Sequence, residues 1–216
     1  MSAETTSPRD ERGSTLASAS GSGRIVRPAD ADAAIARIRE ARSVVTFVGF
    51  SGAGYEDAAA VERVIAKLLD DLSPTSVLIC AGATPEGIGA VYPLAKKRGF
   101  TTIGIVSALA EKEGATLSQD VDTVFVMADD TWGGLNADGK LSQTSFAMVG
   151  ATDEMIAIGG GQIARDEIAT AMAMGKKVRY IVADMNHAAA IRKAKEMRQP
   201  EPDDFRGAVH TYFDRK

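Results

Sequence analysis

Residues 155–167 read Met155-Ile156-Ala157-Ile158, then Gly159-Gly160-Gly161, then Gln162-Ile163-Ala164-Arg165-Asp166-Glu167. An apolar run, three glycines and a helix-forming stretch in that order predict a buried strand, a tight turn and a helix N-terminus. The first helical turn leaves backbone N–H groups unpaired and carries partial positive charge, so it suits an anion. Consecutive glycines let the backbone approach a ligand that side chains would hold off. The stretch is therefore read as a phosphate-binding turn, with Gly159, Gly160, Gly161 and Gln162 in contact with the phosphate.

Two further glycine loops follow apolar runs. Gly49-Phe50-Ser51-Gly52-Ala53-Gly54 comes after Ser43–Val48, and the loop from Gly82 through Thr84 and Gly87 to Gly89 comes after Ser76–Cys80. Gly49, Ser51, Gly52, Gly82, Thr84 and Gly87 are the ligand-binding candidates there. Asn186 is a lesser one. Trp132 is a candidate base-stacking residue whose simpler reading is a half-buried loop anchor. Asp129 and Asp130 could flank a cation, but adjacent loop carboxylates are usually solvated.

The elements that position these loops follow from periodicity. Val61, Val64, Ile65, Leu68 and Leu69 repeat at helical spacing within residues 56–71. Other helices are expected from about Asp30 to Arg42, from the Gly82–Gly89 loop to Gly99, from Ser142 to Gly150, from the glycine turn to Gly175, and from His187 to Met197. Strands are expected at Ser43–Gly49, Ser76–Cys80, Thr101–Val106, Asp122–Met127, Thr152–Ile158 and Lys177–Ala183. Six strands mostly separated by helices predict a Rossmann-like, doubly wound α/β fold, a mainly parallel six-stranded sheet with helices on both faces. In such a sheet the crossovers are right-handed and the glycine loops gather at the carboxyl edge. Residues 1–27, rich in Ser, Thr, Gly and charge, are expected to be a flexible arm. Residues 28–198 form the nucleotide-binding domain, and 199–216 a tail whose Phe205, Val209, Tyr212 and Phe213 dock on the domain or on a partner subunit.

Composition narrows the function. The net charge of −4, with no long basic block, excludes a general grip on nucleic acid. Cys80 is the one cysteine and lies in an apolar run, so neither a disulfide nor a cysteine metal site can form within the chain. Two histidines are too few for a His-rich metal centre. No apolar stretch is long enough to span a membrane, and no signal-peptide pattern opens the sequence, so a cytoplasmic location is expected.

Two readings compete for the glycine turn. Gly159 to Ala164 matches G-x-G-x-x-A, with Asp184 following at the end of the next strand, the spacing of an NAD(P) fingerprint. The second reading is a family resemblance. From about Val44 to Lys195 the chain resembles the SLOG superfamily, most closely the LOG-like proteins, nucleoside-monophosphate phosphoribohydrolases often labelled lysine decarboxylases. Gly160, Gly161 and Glu167 fall on the paired glycines and the glutamate of their P-G-G-x-G-T-x-x-E motif. Gly49-Phe50-Ser51 resembles their G-S-S loop, and Gly82 through Ala90 their G-G-G-x-x-G-L-M-G-A turn. Gly159, Ile163 and Ala164 replace the motif's proline, third glycine and threonine. The family's catalytic arginine would fall near Thr144, beside Ser145, where this chain has no basic residue.

The resemblance implies a nucleotide in the crevice and N-glycosidic cleavage of a nucleoside monophosphate. Glu167 would then stabilise an oxocarbenium-like state. Arg165 is the candidate substitute for the missing arginine. The alternatives are a non-catalytic nucleotide-binding or sensor protein and, third, an NAD(P)-linked oxidoreductase. No cofactor is required by the first two, and the need for Mg2+ is open. The resemblance also implies a homodimer.

Overall fold

The structure is a computed structural model that describes residues 23–40 and 42–215. Its strands are β1 (Arg24–Val26), β2 (Ser43–Gly49), β3 (Val77–Ala81), β4 (Thr101–Ser107), β5 (Thr123–Met127), β6 (Glu154–Ile158) and β7 (Lys177–Ile181). Its helices are α1 (Ala31–Ile38), α2 (Ala58–Asp70), α3 (Val91–Lys96), α4 (Ala108–Lys112), α5 (Gln143–Ala151), α6 (Gln162–Ala173), α7 (His187–Glu196) and α8 (Gly207–Asp214). A 3-10 turn over Gly87–Ala90 leads into α3.

All strand pairs are parallel, in the order β1-β5-β4-β3-β2-β6-β7. The doubly wound α/β reading holds, with seven strands instead of six. The added strand is β1, in the segment expected to be a flexible arm. Arg24 N donates to Asp122 O at 2.8 Å, and Arg24–Val26 pair with Thr123–Phe125. Backbone bonds to the open edge of β5 order this short piece, although Ile25 remains 36% exposed. Residues 1–22 lie outside the described residues.

Both faces of the sheet are covered, and side chains alternate between two cores. Val45, Phe47, Ile79, Ile156 and Ile158 pack with Val61 and Ile65 of α2 and Tyr92 of α3. Val44, Val48, Cys80, Met155 and Ala157 pack with residues of α1, α5, α6 and α8. Cys80 is fully buried, and burial pushes its thiol up to about 12. It has no access to a substrate. Among the described residues, no helix is long and apolar enough to cross a membrane.

The order of strands creates the position that matters. From β2 the chain adds β3, β4 and β5 outward on one side, then returns to place β6 against the other side of β2. Where winding reverses, the loops leaving the two strands diverge to opposite faces and open a crevice at the carboxyl edge. The three glycine loops leave β3, β2 and β6, which are consecutive in the sheet.

Candidate functional site at the carboxyl edge

Four of the candidate glycines are required by the fold itself. Gly159 has φ +55° and Gly160 φ +127°, and both are buried. A Cβ on Gly159 would lie 2.5 Å from the Phe50 ring and 2.7 Å from Ala183 O. Gly49 makes room for Tyr55, whose hydroxyl donates to Ile158 O at 2.9 Å and ties the β2 loop to the end of β6. Gly87, at φ +57°, packs against the carbonyls of Phe50 and Ser51.

The other three, Gly52, Gly82 and Gly161, have no such reason. None has positive φ. A Cβ would meet nothing within 4 Å at Gly82 or Gly161, and only the Glu86 carboxylate at 3.7 Å from Gly52. Each lies in the loop after a different one of three adjacent strands, β2, β3 and β6. Beside Gly82, Ala83 is fully buried at φ +54°, held by Tyr92 Oη at 3.0 Å from its N and by Ser118 N at 2.8 Å from its O. A non-glycine residue kept in this region stores backbone strain of about 1–3 kcal/mol. Thr84 is occupied in its own loop, its hydroxyl accepting from Glu86 N at 3.2 Å, while Ser51 and Gln162 are exposed.

Gly161 is also the N-cap of α6. The helices α1, α2, α5 and α7 each have a side chain at this place, Asp30, Asp57, Ser142 and Asn186, accepting from their first turn. Helix α6 has no side-chain cap. Its first amides therefore face the crevice mouth with nothing from the chain to satisfy them through a cap.

The carboxyl terminus covers the rest of the turn. Val209 N donates to Gly160 O at 3.1 Å, and Gly207, at φ +79°, packs against Gly160 O and Phe50. Met185 N donates to Phe205 O at 2.8 Å, and the Phe205 ring stacks on His187 at 4.0 Å. Val209 is fully buried and Phe213 stacks on Tyr180 at 4.8 Å. The tail thus docks on its own domain, and Phe205–Gly207 lies across the carboxyl ends of β6 and β7. Asp184, at the end of β7, lies 3.4 Å from His187 Nε2 and lines the groove between α2 and β7.

Glu167 and Arg165 do not face each other across the crevice. Glu167 is 5% exposed and accepts from Ser145 Oγ at 2.7 Å, and Ser145 Oγ in turn accepts from Gly134 N at 2.7 Å. Burial lifts the Glu167 carboxyl to about 7, the Ser145 hydrogen bond opposes the rise, and neighbouring Asp166 adds to it. Arg165 pairs with Asp166 and lines a groove of about 460 Å3 between α6 and α8.

Ser145 occupies the region in which the resemblance would place the missing arginine. As a buried partner of the glutamate it went unnoticed in the sequence. Asp129, expected to be solvated, is only 8% exposed. Burial alone would raise its pKa. Hydrogen bonds from Thr144 and Thr131 outweigh that and hold it at about 2. It organises the loop over α5 and is not a cation ligand here, its oxygens being committed to backbone and hydroxyl donors. Asp130 is exposed and pairs with Lys112, and Trp132 is 54% exposed instead of half-buried. Among the described residues no group of three or more His, Cys, Asp or Glu could hold a metal.

A second groove, about 340 Å3, runs between α2 and the end of β7. Its polar rim is Glu56, Asp57 and Asp184, the wrong sign for a phosphate.

No family model and no curated protein matches the chain. Solved structures do resemble it. A structural-genomics target, TM1055, is 23% identical over 63% of this chain and 72% of its own, with a TM-score of 0.47. The Moco carrier protein from Chlamydomonas reinhardtii is 20% identical over 80% and 96%, TM-score 0.46. The molybdenum cofactor binding protein from Rippkaea orientalis is 20% identical over 74% and 86%, TM-score 0.49. At such identities and scores the likeness bears on fold and carries no inference about ligand or reaction.

Proposed function

We propose that this protein binds a nucleotide or related phosphate ligand at the carboxyl edge of the sheet, and that it does so without cleaving it. The observation that carries the reading is the set Gly52, Gly82 and Gly161. These are three glycines the backbone does not need, on three adjacent strand ends, beside the uncapped N-terminus of α6. A phosphate on the amides of Gly161 and Gln162 would supply the missing cap, with the rest of the ligand between the Gly52 and Gly82 loops.

The absence of turnover is inferred from Glu167. Its carboxyl is buried and engaged by Ser145, in the seam between α5 and α6 and not at the mouth. The second reading, N-glycosidic hydrolysis, draws on the same residue. A carboxyl lifted to about 7 is suited to proton transfer near neutrality, provided the loop above it opens.

The test is thermal-shift and calorimetric binding of nucleoside mono-, di- and triphosphates and NAD(P), with chromatography of the products. Stabilisation by a nucleotide that stays intact, lost in Gly161→Asp, is the expected result. Free base released from a monophosphate, and abolished in Glu167→Gln, selects the hydrolase. Binding of NAD(P) above every mononucleotide selects the oxidoreductase. No stabilisation by any of them refutes the phosphate turn.

A further inference from the structure

The groove between α6 and α8 opens beside the glycine turn. Arg165 follows Gly161 by four residues, which places it on the same side of α6, roughly 6 Å along the axis. Ala208 lines the groove at this end, and its neighbour Val209 is bonded to Gly160 O. From there Ala208, Thr211, Tyr212 and Arg215 form one stripe of α8, at positions i, i+3, i+4 and i+7. Arg165 and Arg215 are the only charged residues lining the groove, although the protein carries a net charge of −4. Asp166 engages the Nε and Nη2 edge of Arg165 through Oδ1, which balances its charge and leaves the Nη1 donors outside that contact. The other groove of the carboxyl edge is rimmed by three carboxylates. Of the two, the α6–α8 groove alone presents a potential that favours anions.

Its length bears on what it would hold. Seven residues separate Ala208 from Arg215, about 10 Å of helix. One phosphate on the α6 amides is within reach of Arg165 but stops short of the Arg215 end. Two linked phosphates cover more of that span. We propose that this groove is the subsite for the second phosphate of the bound ligand, so that the site selects a nucleoside diphosphate or similar pyrophosphate compound over a monophosphate. The proposal rests on the reading of Gly161 and α6 as the first phosphate site. Arg165 is shared between the two positions, and Arg215 belongs to the second alone.

Titration calorimetry with AMP, ADP, inorganic phosphate and inorganic pyrophosphate tests this on the full chain. ADP is expected to bind tighter than AMP, and pyrophosphate tighter than phosphate, each by at least about tenfold, the size of one charge-assisted hydrogen bond. Arg215→Gln, at an exposed helix end where the fold is not at stake, is expected to erase both advantages and leave AMP affinity unchanged. Hydrogen exchange adds a second readout, with pyrophosphate slowing the amides of α8 in the wild type and not in Arg215→Gln.

AMP bound as tightly as ADP overturns the proposal, and so does a pyrophosphate advantage that survives Arg215→Gln. In both cases AMP binding that is lost in Gly161→Asp leaves the first phosphate site standing. If none of the four probes binds the wild type, the second-phosphate subsite falls, and the first phosphate site is judged on the full set of nucleotides and NAD(P).

Discussion

Gly161 and Glu167 are six positions apart, at the two ends of the first turns of α6, and the protein treats them in opposite ways. Gly161 is a helix cap with no capping side chain, open space where a Cβ would be, and no conformational need for glycine. Glu167 is a charged residue closed under a loop, with a serine partner that is itself held by a backbone amide. Helix N–H groups without a side-chain cap can be met by water or by a ligand, whereas polar groups satisfied in the interior serve the fold. The contrast separates the part of the glycine turn that fits a binding site from the part that would have to rearrange to do chemistry.

Substitutions can sharpen or break that contrast. The largest loss of stability is expected from Gly160→Val. A side chain there needs φ +127° and brings Cβ to 2.9 Å from both Ala164 Cβ and Val209 Cγ2. A loss above about 3 kcal/mol in urea unfolding is expected, with faster hydrogen exchange in α8. A loss below about 1 kcal/mol would mean that the tail is not seated on the turn as described.

Ser145→Ala comes next. It leaves the buried Glu167 carboxyl and Gly134 N without their partner, and a cost of about 2–3 kcal/mol is expected. The double variant with Glu167→Leu should recover part of it, because removing both polar groups is cheaper than stranding one.

The pH dependence follows from the same carboxyl. Glu167 binds its proton more tightly when folded, with its pKa raised from 4.5 to about 7. Its contribution is therefore fully present below pH 4.5 and is lost as pH rises through 7. By linkage the shift amounts to about 3 kcal/mol. Stability should thus decline from pH 5 to 8 in the wild type, and Glu167→Gln should flatten that decline. Asp129 acts at the other end. Held at about 2, it contributes above its usual range and loses that contribution as pH falls from 3.8 through 2. A wild-type stability that stays level between pH 5 and 8 would show that Glu167 is not buried as described.

The smallest change in stability is expected from Gly161→Asp. Aspartate is among the best N-caps, and the backbone at φ −86° accepts it, but glycine is itself a tolerated cap, so stability should rise by only about 0.3 kcal/mol. The same carboxylate stands where a phosphate would lie, so nucleotide binding should disappear. A variant that is more stable and still binds would remove the α6 N-terminus from the site.

Much of the fold is legible in local patterns. The β2 strand at Ser43–Gly49 appears with the expected bounds, and β4, β5 and α5 differ from expectation by one or two residues. Their side chains repeat with the period of a buried strand or an amphipathic helix, and their ends carry glycine or capping residues. The short β1 gives no such signal. Three residues with two of them exposed have no periodicity, and only the unpaired edge of β5 gives them a place. Helix α8 is similar in this respect. Phe205, Val209, Tyr212 and Phe213 announced a docking surface, but their target, the far side of the glycine turn, lies some 45 positions back in the chain.

The sequence by itself determined the alternation of strands and helices, the three glycine loops at strand ends, and the exclusion of a disulfide within the chain. Those follow from local spacing, composition and counts of residue types. Tertiary structure alone decided which strands are neighbours, and so that the Gly52, Gly82 and Gly161 loops leave three adjacent strands. It also turned Glu167 inward to Ser145, laid Phe205–Gly207 across the ends of β6 and β7, and brought Arg165 and Arg215 to one groove. Neighbour relations in a parallel sheet are set by packing between residues far apart in sequence. Gly159, Gly160 and Gly161 read as three equal ligand contacts in the chain, yet once folded Gly159 and Gly160 are spent on the protein's own backbone and Gly161 is left open.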